Sequence, residues 1–123
     1  METGWIRKTI LLIDDEKDFC KLVVRIFRGT AFEVICAHSL YEASQKLAFV
    51  SPSIILLDND LPDGFGLFFL KRNKPAFKDG YIILTSADPS SNIRWQALDA
   101  GAHDYLQKPF SLATLKAMIS VYA

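Results

Sequence analysis

The chain has 123 residues, balances 14 basic against 14 acidic side chains, and is half hydrophobic, which fits one domain with a real core and argues against a disordered chain. Zero formal net charge gives no global pull toward nucleic acid or anionic lipid. The longest aliphatic runs are far too short to span a bilayer, and the opening METGWIRK lacks the apolar stretch and cleavage site of a signal peptide.

In chain order, the first continuous apolar run is Thr9–Ile13, which ends abruptly in Asp14, Asp15 and Glu16. Phe19, Leu22, Val23, Ile26 and Phe27 then follow helical spacing until Gly29 stops them. Val34–Ala37 is a second run, and Ser39 is placed to cap a weaker helix through Ala43, Leu47 and Val50. Ile54–Leu57 runs into Asp58, and Leu67 and Leu70 lead a short helix that must end before Pro75. Tyr81–Leu84 is followed by a helix on Ile93, Ala97 and Ala100, closed by Gly101. Tyr105–Leu106 is a shorter run, and Ser111 caps a last helix carrying Leu112, Leu115 and Ile119.

Continuous apolar runs suit strands buried on both faces, and strand alternates with helix five times. The expected architecture is α/β, a parallel sheet with helices on both sides, in one domain over 1–123 with its core at about 9–122. Cys20 and Cys36 form no C-x-x-C pair and sit among apolar neighbours. They read as buried thiols, and a reducing cytoplasm is the simplest home.

In such folds the useful crevice lies beyond the carboxyl ends of the strands. The first strand delivers Asp14 and Asp15 there, the third Asp58, the fourth Thr85, and the fifth Lys108 followed by Pro109. An all-oxygen carboxylate cluster suits a hard divalent cation such as Mg2+ or Mn2+. A carboxylate can also act as a nucleophile and form an aspartyl-phosphate, while a lysine and a hydroxyl hold the other phosphoryl oxygens. The acids at the mouth of the core are then tolerable because a metal ion and a lysine offset them.

The stretches ILLIDDE, IILLDNDLPDGFG, IILTSA and AGAHDYLQKPF, in that order, resemble the receiver domain of two-component response regulators, from about Thr9 onward. The resemblance implies a doubly wound, flavodoxin-like fold with five parallel strands in the order 2-1-3-4-5 and five flanking helices. It implies Asp58 as phosphoacceptor from a histidine kinase or histidine phosphotransfer protein, and Asp14, Asp15, Asp58 and the backbone carbonyl of Asp60 as metal ligands. Thr85 would bond the phosphoryl group, Lys108 would pair with it, and the Lys108–Pro109 peptide would be cis. Thr85 and Tyr105 would form the switch, reshaping a surface made by the fourth helix, fifth strand and fifth helix, where a homodimer could form.

Other positions carry individual expectations. Asp60 would tune phosphoryl lifetime, the small Ala87 would leave the phosphoryl group open to water, and Glu16 would be a helix N-terminal charge and not a ligand. Phe68 in GFGLFFLKR would point outward, and Trp95 with Leu98 would anchor a partner or dimer surface. His38 and His103 read as surface residues.

Two other functional classes compete. The D-N-D of residues 58–60 is similar to the D-x-D of haloacid-dehalogenase-type phosphatases, but that family places it on its first strand and needs a longer chain. A phosphorylation-independent pseudo-receiver would lack the acceptor, an acid or the lysine, and all are present. A receiver of a hybrid kinase or phosphorelay stays open, as does a piece excised from a longer regulator, which the short last helix favours. The expectation for this chain is a signalling domain that acts only on its own phosphorylation, without direct nucleic-acid or membrane binding.

Overall fold

A computed structural model describes residues 7–77 and 79–122; the remaining residues, Trp5 among them, lie outside the description. Five strands form one sheet: β1 (Lys8–Ile13), β2 (Phe32–Ala37), β3 (Ile54–Asp58), β4 (Tyr81–Ser86) and β5 (Asp104–Gln107). Their order is β2-β1-β3-β4-β5, and every neighbouring pair is parallel. Each apolar run in the sequence became one of these strands. The central β3 is buried throughout, as a strand covered on both faces must be.

Four helices connect the strands, α1 (Lys17–Ile26), α2 (Leu40–Leu47), α3 (Gly66–Arg72) and α4 (Ser91–Ala100), and α5 (Leu112–Ser120) follows β5. Alternation along each strand divides the core into two layers. Leu11, Ile13, Ile55, Leu57 and Leu84 face α2, α3 and α4, where Ala43, Leu70 and Ala97 meet them. Ile10, Leu12, Ile54, Leu56 and Ile83 face α1 and α5, where Val23, Leu115 and Ile119 close the other side. The expected caps are in place. Ser39 and Ser111 each accept an amide of the first helical turn, and Gly101 ends α4 at φ 113°.

Some side chains lie elsewhere than the periodicity predicts. Leu22 is exposed, and Cys20 takes the buried position with Val23 and Phe27. The apolar stripe of α1 is rotated by part of a turn, centred on Cys20, Val23 and Phe27 and away from Leu22. Val50 lies beyond the end of α2. Cys36 is half-buried and so differs from the fully buried thiol expected. His38 is half-buried, and its Nδ1 lies 3.0 Å from the carbonyl oxygen of Asp14. His103 is exposed but accepts the amide of Ile82 at 3.0 Å.

Candidate functional site

Register brings the polar strand ends level. Ile13 is paired with Leu57, so Asp14 and Asp58, each one residue further on, stand side by side. Asp58 is itself paired with Thr85, and Thr85 with Leu106, two residues before Lys108. Four strands thus deliver Asp14, Asp58, Thr85 and Lys108 to one edge, and a parallel sheet can do this only at its carboxyl end.

Asp14 and Asp58 are buried and Asp15 is exposed, yet a carboxylate oxygen from each lies within 4.8 Å of the other two. Lys108 reaches into the cluster. Its Nζ stands 3.0 Å from Asp14 Oδ2, 3.4 Å from Asp58 Oδ2 and 3.8 Å from Glu16 Oε1. Its stem passes the ring of Phe19, with Nζ 6.0 Å from the centroid. Burial alone would lower the lysine's pKa, but the hydrogen bond to Asp14 and the charges of Asp58, Asp14 and Glu16 outweigh it, and the net direction is upward. Burial pushes the Asp58 carboxyl up to about 6, against the attraction of Lys108 and with the repulsion of Asp14.

Backbone amides fix the carboxylates. The Glu16 N–H donates to Asp14 Oδ1 at 2.9 Å, and the Asp60 N–H donates to Asp58 Oδ1 at 3.2 Å. Buried Asn59 ties the acceptor loop down: its N–H donates to the Thr85 carbonyl at 2.8 Å, and its side-chain oxygen accepts the Leu67 amide at 2.9 Å. Gly66 opens α3 directly against this loop. A Cβ there would stand 2.4 Å from the Asp58 carbonyl oxygen, so only glycine allows the approach.

Thr85 is buried at the end of β4. Tyr105 is buried as well, its hydroxyl 3.3 Å from the Asp88 carbonyl and 3.5 Å from that of Ser86, and burial pushes its phenol up. The Lys108–Pro109 peptide is cis. The Asp60 side chain is turned outward, with Ser86 Oγ 3.5 Å from its Oδ2. Glu16 precedes α1 without capping it, and its carboxylate faces Lys108. That role was missed from the sequence, as were Asn59, Ser86 and Gly66; only the glycine within GFG carried a local signal.

Trp95 and Phe68 are both exposed, whereas Leu98 is half-buried. Trp95 and Leu98 still line one shallow depression on α4, with Gln96 and Asp99. Ile93 and Ala97, on the other side of the helix, face the core. No described helix is long and apolar enough to cross a membrane.

Comparison with known proteins agrees with this fold. A sequence profile of the response regulator receiver domain matches residues 10–120. The KDP operon transcriptional regulatory protein KdpE of Escherichia coli (strain K12) is 33% identical over 112 residues, 91% of this chain and 49% of that protein. Transcriptional regulatory protein PrrA of Mycobacterium leprae (strain TN) is 34% identical over 119 residues, 97% of this chain and 51% of that protein. The chain therefore spans about half the length of the curated relatives it matches. Among solved structures, a two-component response regulator from Clostridium difficile superposes with a TM-score of 0.88 at 26% identity, covering 94% of this chain and 95% of that one. The chemotaxis response regulator CheY4 of Vibrio cholerae gives a TM-score of 0.84 at 24% identity over 95% and 99%, which bears on the fold.

Proposed function

The chain belongs to the response regulator receiver domain family, and from that membership we propose that it takes a phosphoryl group onto Asp58 from the phosphohistidine of a histidine kinase or histidine phosphotransfer protein. The observation that carries this reading is the gathering of Asp14, Asp15 and Asp58 within 4.8 Å, with Lys108 ion-paired to two of them.

The donor set is all oxygen and doubly acidic beyond its lysine, which fits Mg2+ or Mn2+ and does not suit a soft metal. Asp14, Asp15, Asp58 and the Asp60 carbonyl would hold the ion. When bound, it would supply positive charge to the phosphoryl oxygens. The chain's own residues do the rest. One oxygen of ionised Asp58 attacks phosphorus as the bond to the histidine nitrogen breaks, and the other stays on the Asp60 amide. Lys108, already bonded to Asp14, offsets charge on the transferred group. Thr85 then bonds a phosphoryl oxygen. Asp60 stands beside the acceptor, tethered to Ser86, where it tunes how long the acyl phosphate lasts. The domain turns over nothing else; it acts on its own phosphorylation and slow dephosphorylation.

The output would be a change in the surface of α4, β5 and α5, set by Thr85 and Tyr105. The relatives named here are transcriptional regulatory proteins about twice this length, so the controlled partner need not lie within this chain. Exposed Trp95 anchors that surface, with Leu98 contributing its edge, and a second copy is one occupant. Trp95→Ala should then weaken phosphorylation-dependent self-association without lowering phosphorylation, as read by sedimentation. Equal association in both proteins would remove Trp95 from the interface.

The deciding experiment is incubation with acetyl phosphate and Mg2+, read by intact mass, for the wild type and Asp58→Ala. The wild type should gain one phosphoryl group only with the metal, and the variant none. A metal-dependent gain that survives in Asp58→Ala would overturn the assignment of the acceptor.

A further inference from the structure

The face between α3 and α4 leaves aromatic rings in water. Phe65 and Phe68 touch edge to face, their ring centroids 6.0 Å apart, and they are 52% and 51% exposed. They line a cleft with Leu67 of α3, Ile93 and Gln96 of α4, and Asp88. Gln96 also lines the depression that holds Trp95, so the surface runs on from Phe68 to Trp95, which is 67% exposed. A buried aromatic side chain covers about 150–250 Å², so these three leave on the order of 300 Å² open in each copy.

Charge around the cleft is split between its ends. The helices α3 and α4 follow neighbouring parallel strands and pack in one core layer, so both begin at the carboxyl edge of the sheet and end at the opposite edge. At the carboxyl edge stand two exposed acids, Asp88 and Asp60, the latter cross-strand from Phe65 in a short hairpin. At the other end stand Lys71 and Arg72 in the last turn of α3, and Lys74 just beyond it. Lys71 Nζ is 5.8 Å from the centroid of the Phe68 ring. A Cβ built on Gly101 would lie 3.6 Å from Lys74 Cε, so the Lys74 stem lies against the end of α4. Asp99 is at that end too, which leaves three cations against one acid. Arg94 sits about 100° round α4 from Ile93 and Gln96 about 60° the other way, so Arg94 belongs to the opposite flank. Among the described residues, none of these charges is ion-paired.

A surface with opposite charges at its two ends complements itself when a second copy lies against it in the reverse direction. We propose that the α3–α4 faces of two copies pair about a two-fold axis, with Phe68 near the centre and the helices of one copy antiparallel to those of the other. Each contact then occurs twice. Asp88 and Asp60 of each copy meet Lys71, Arg72 and Lys74 of the other, and the rings of Phe65 and Phe68 are covered. A parallel arrangement would set acid against acid. The area sets the strength. A stable pair covers about 800 Å² on each partner, and the rings supply less than half of that. The charged rim supplies the rest, so the dimer is weak and loosens as salt rises. Every group it uses is in place in the unphosphorylated chain, so pairing needs no phosphoryl donor. This face involves neither β5 nor α5 and shares only Trp95 with the surface assigned to output.

The test is sedimentation equilibrium of the whole chain in chelator, without a phosphoryl donor, at low and at high salt. A monomer–dimer equilibrium that weakens with salt is expected, and Phe68→Glu should weaken it by about tenfold or more. One chain carrying both Lys71→Glu and Arg72→Glu should be monomeric, and so should another carrying Asp88→Lys, because each sets like charges opposite one another. An equimolar mixture of the two should dimerise again, since every altered charge then faces its opposite. Circular dichroism shows that each variant is folded before it is mixed. A wild type that stays monomeric at every concentration, association that ignores Phe68→Glu, or a mixture of folded variants that stays monomeric would overturn the proposal. Because the mixture restores a lost property, a misfolded variant does not imitate the expected result.

Discussion

At Asp58, burial opposes the charge that the proposed phosphoryl transfer requires. Its carboxyl is pushed up to about 6 by burial, against Lys108 and with Asp14, while an unfolded chain ionises an aspartate near about 3.9. Below about 3.9 the group is protonated in both states and contributes nothing to pH dependence. Between about 4 and 6 the unfolded chain releases a proton that the folded chain keeps, so stability falls as pH rises. Above about 6 the penalty is complete, on the order of 2–3 kcal/mol. Asp58→Asn keeps the volume and the acceptor for the Asp60 amide but removes the ionisation. In a metal-chelating buffer it should be more stable than the wild type by about that much at pH 8, and no more stable at pH 4. Urea unfolding at the two pH values checks this. An equal gain at both would mean that packing, and not charge, separates the two proteins.

At the scale of one helix, the start of α2 depends on a residue from another loop. Ser39 Oγ accepts the Glu42 amide at 3.0 Å, and Glu42 in turn accepts the His38 amide at 2.8 Å. The remaining free amides, of Leu40 and Tyr41, each donate to a carboxylate oxygen of Asp63 at 2.9 Å. Burial alone would raise the Asp63 carboxyl, but these bonds together outweigh it and hold it below its usual range. Its contribution is therefore present at neutral pH and is lost as pH falls through the depressed value. Asp63→Ala should cost about 1 kcal/mol at pH 7, whereas the exposed loop acid Asp79 changed to Ala should cost almost nothing. The gap between the two variants should close in acid; a gap that holds at low pH would mean that Asp63 acts by some means other than its charge. Ser39 was legible as a cap because its signal is local. Asp63 was not, because it lies 23 residues from Leu40 and in LPDGFG reads only as a turn. Leu22 misled for a related reason: helical spacing tells which residues share a stripe, but the tertiary contact decides where that stripe is centred.

Over the whole molecule, the architecture and the converging strand ends could be read in advance, because runs buried on both faces have few alternatives and a parallel sheet has one open carboxyl edge. Distances across that edge could not be read, since Asp14 and Lys108 are 94 residues apart. Nor could the part played by His38, which packing draws onto the Asp14 carbonyl. What the edge does to the fold follows from counting charge. With Asp58 ionised, three carboxylates and one ammonium leave two uncompensated negative charges inside 4.8 Å, and any divalent ion held there must stabilise the folded state over the unfolded one. At a concentration about 100 times its dissociation constant the gain is about 2.7 kcal/mol. The ion and a proton compete for Asp58, so the gain should grow between about pH 5 and pH 8. Asp15 separates this from a general salt effect: it is exposed and adds little to the metal-free core. Asp15→Asn should therefore unfold like the wild type in chelator, yet lose most of the upward shift in melting temperature on adding Mg2+. If the variant kept the full shift, the ion would be acting somewhere other than the carboxyl edge of the sheet.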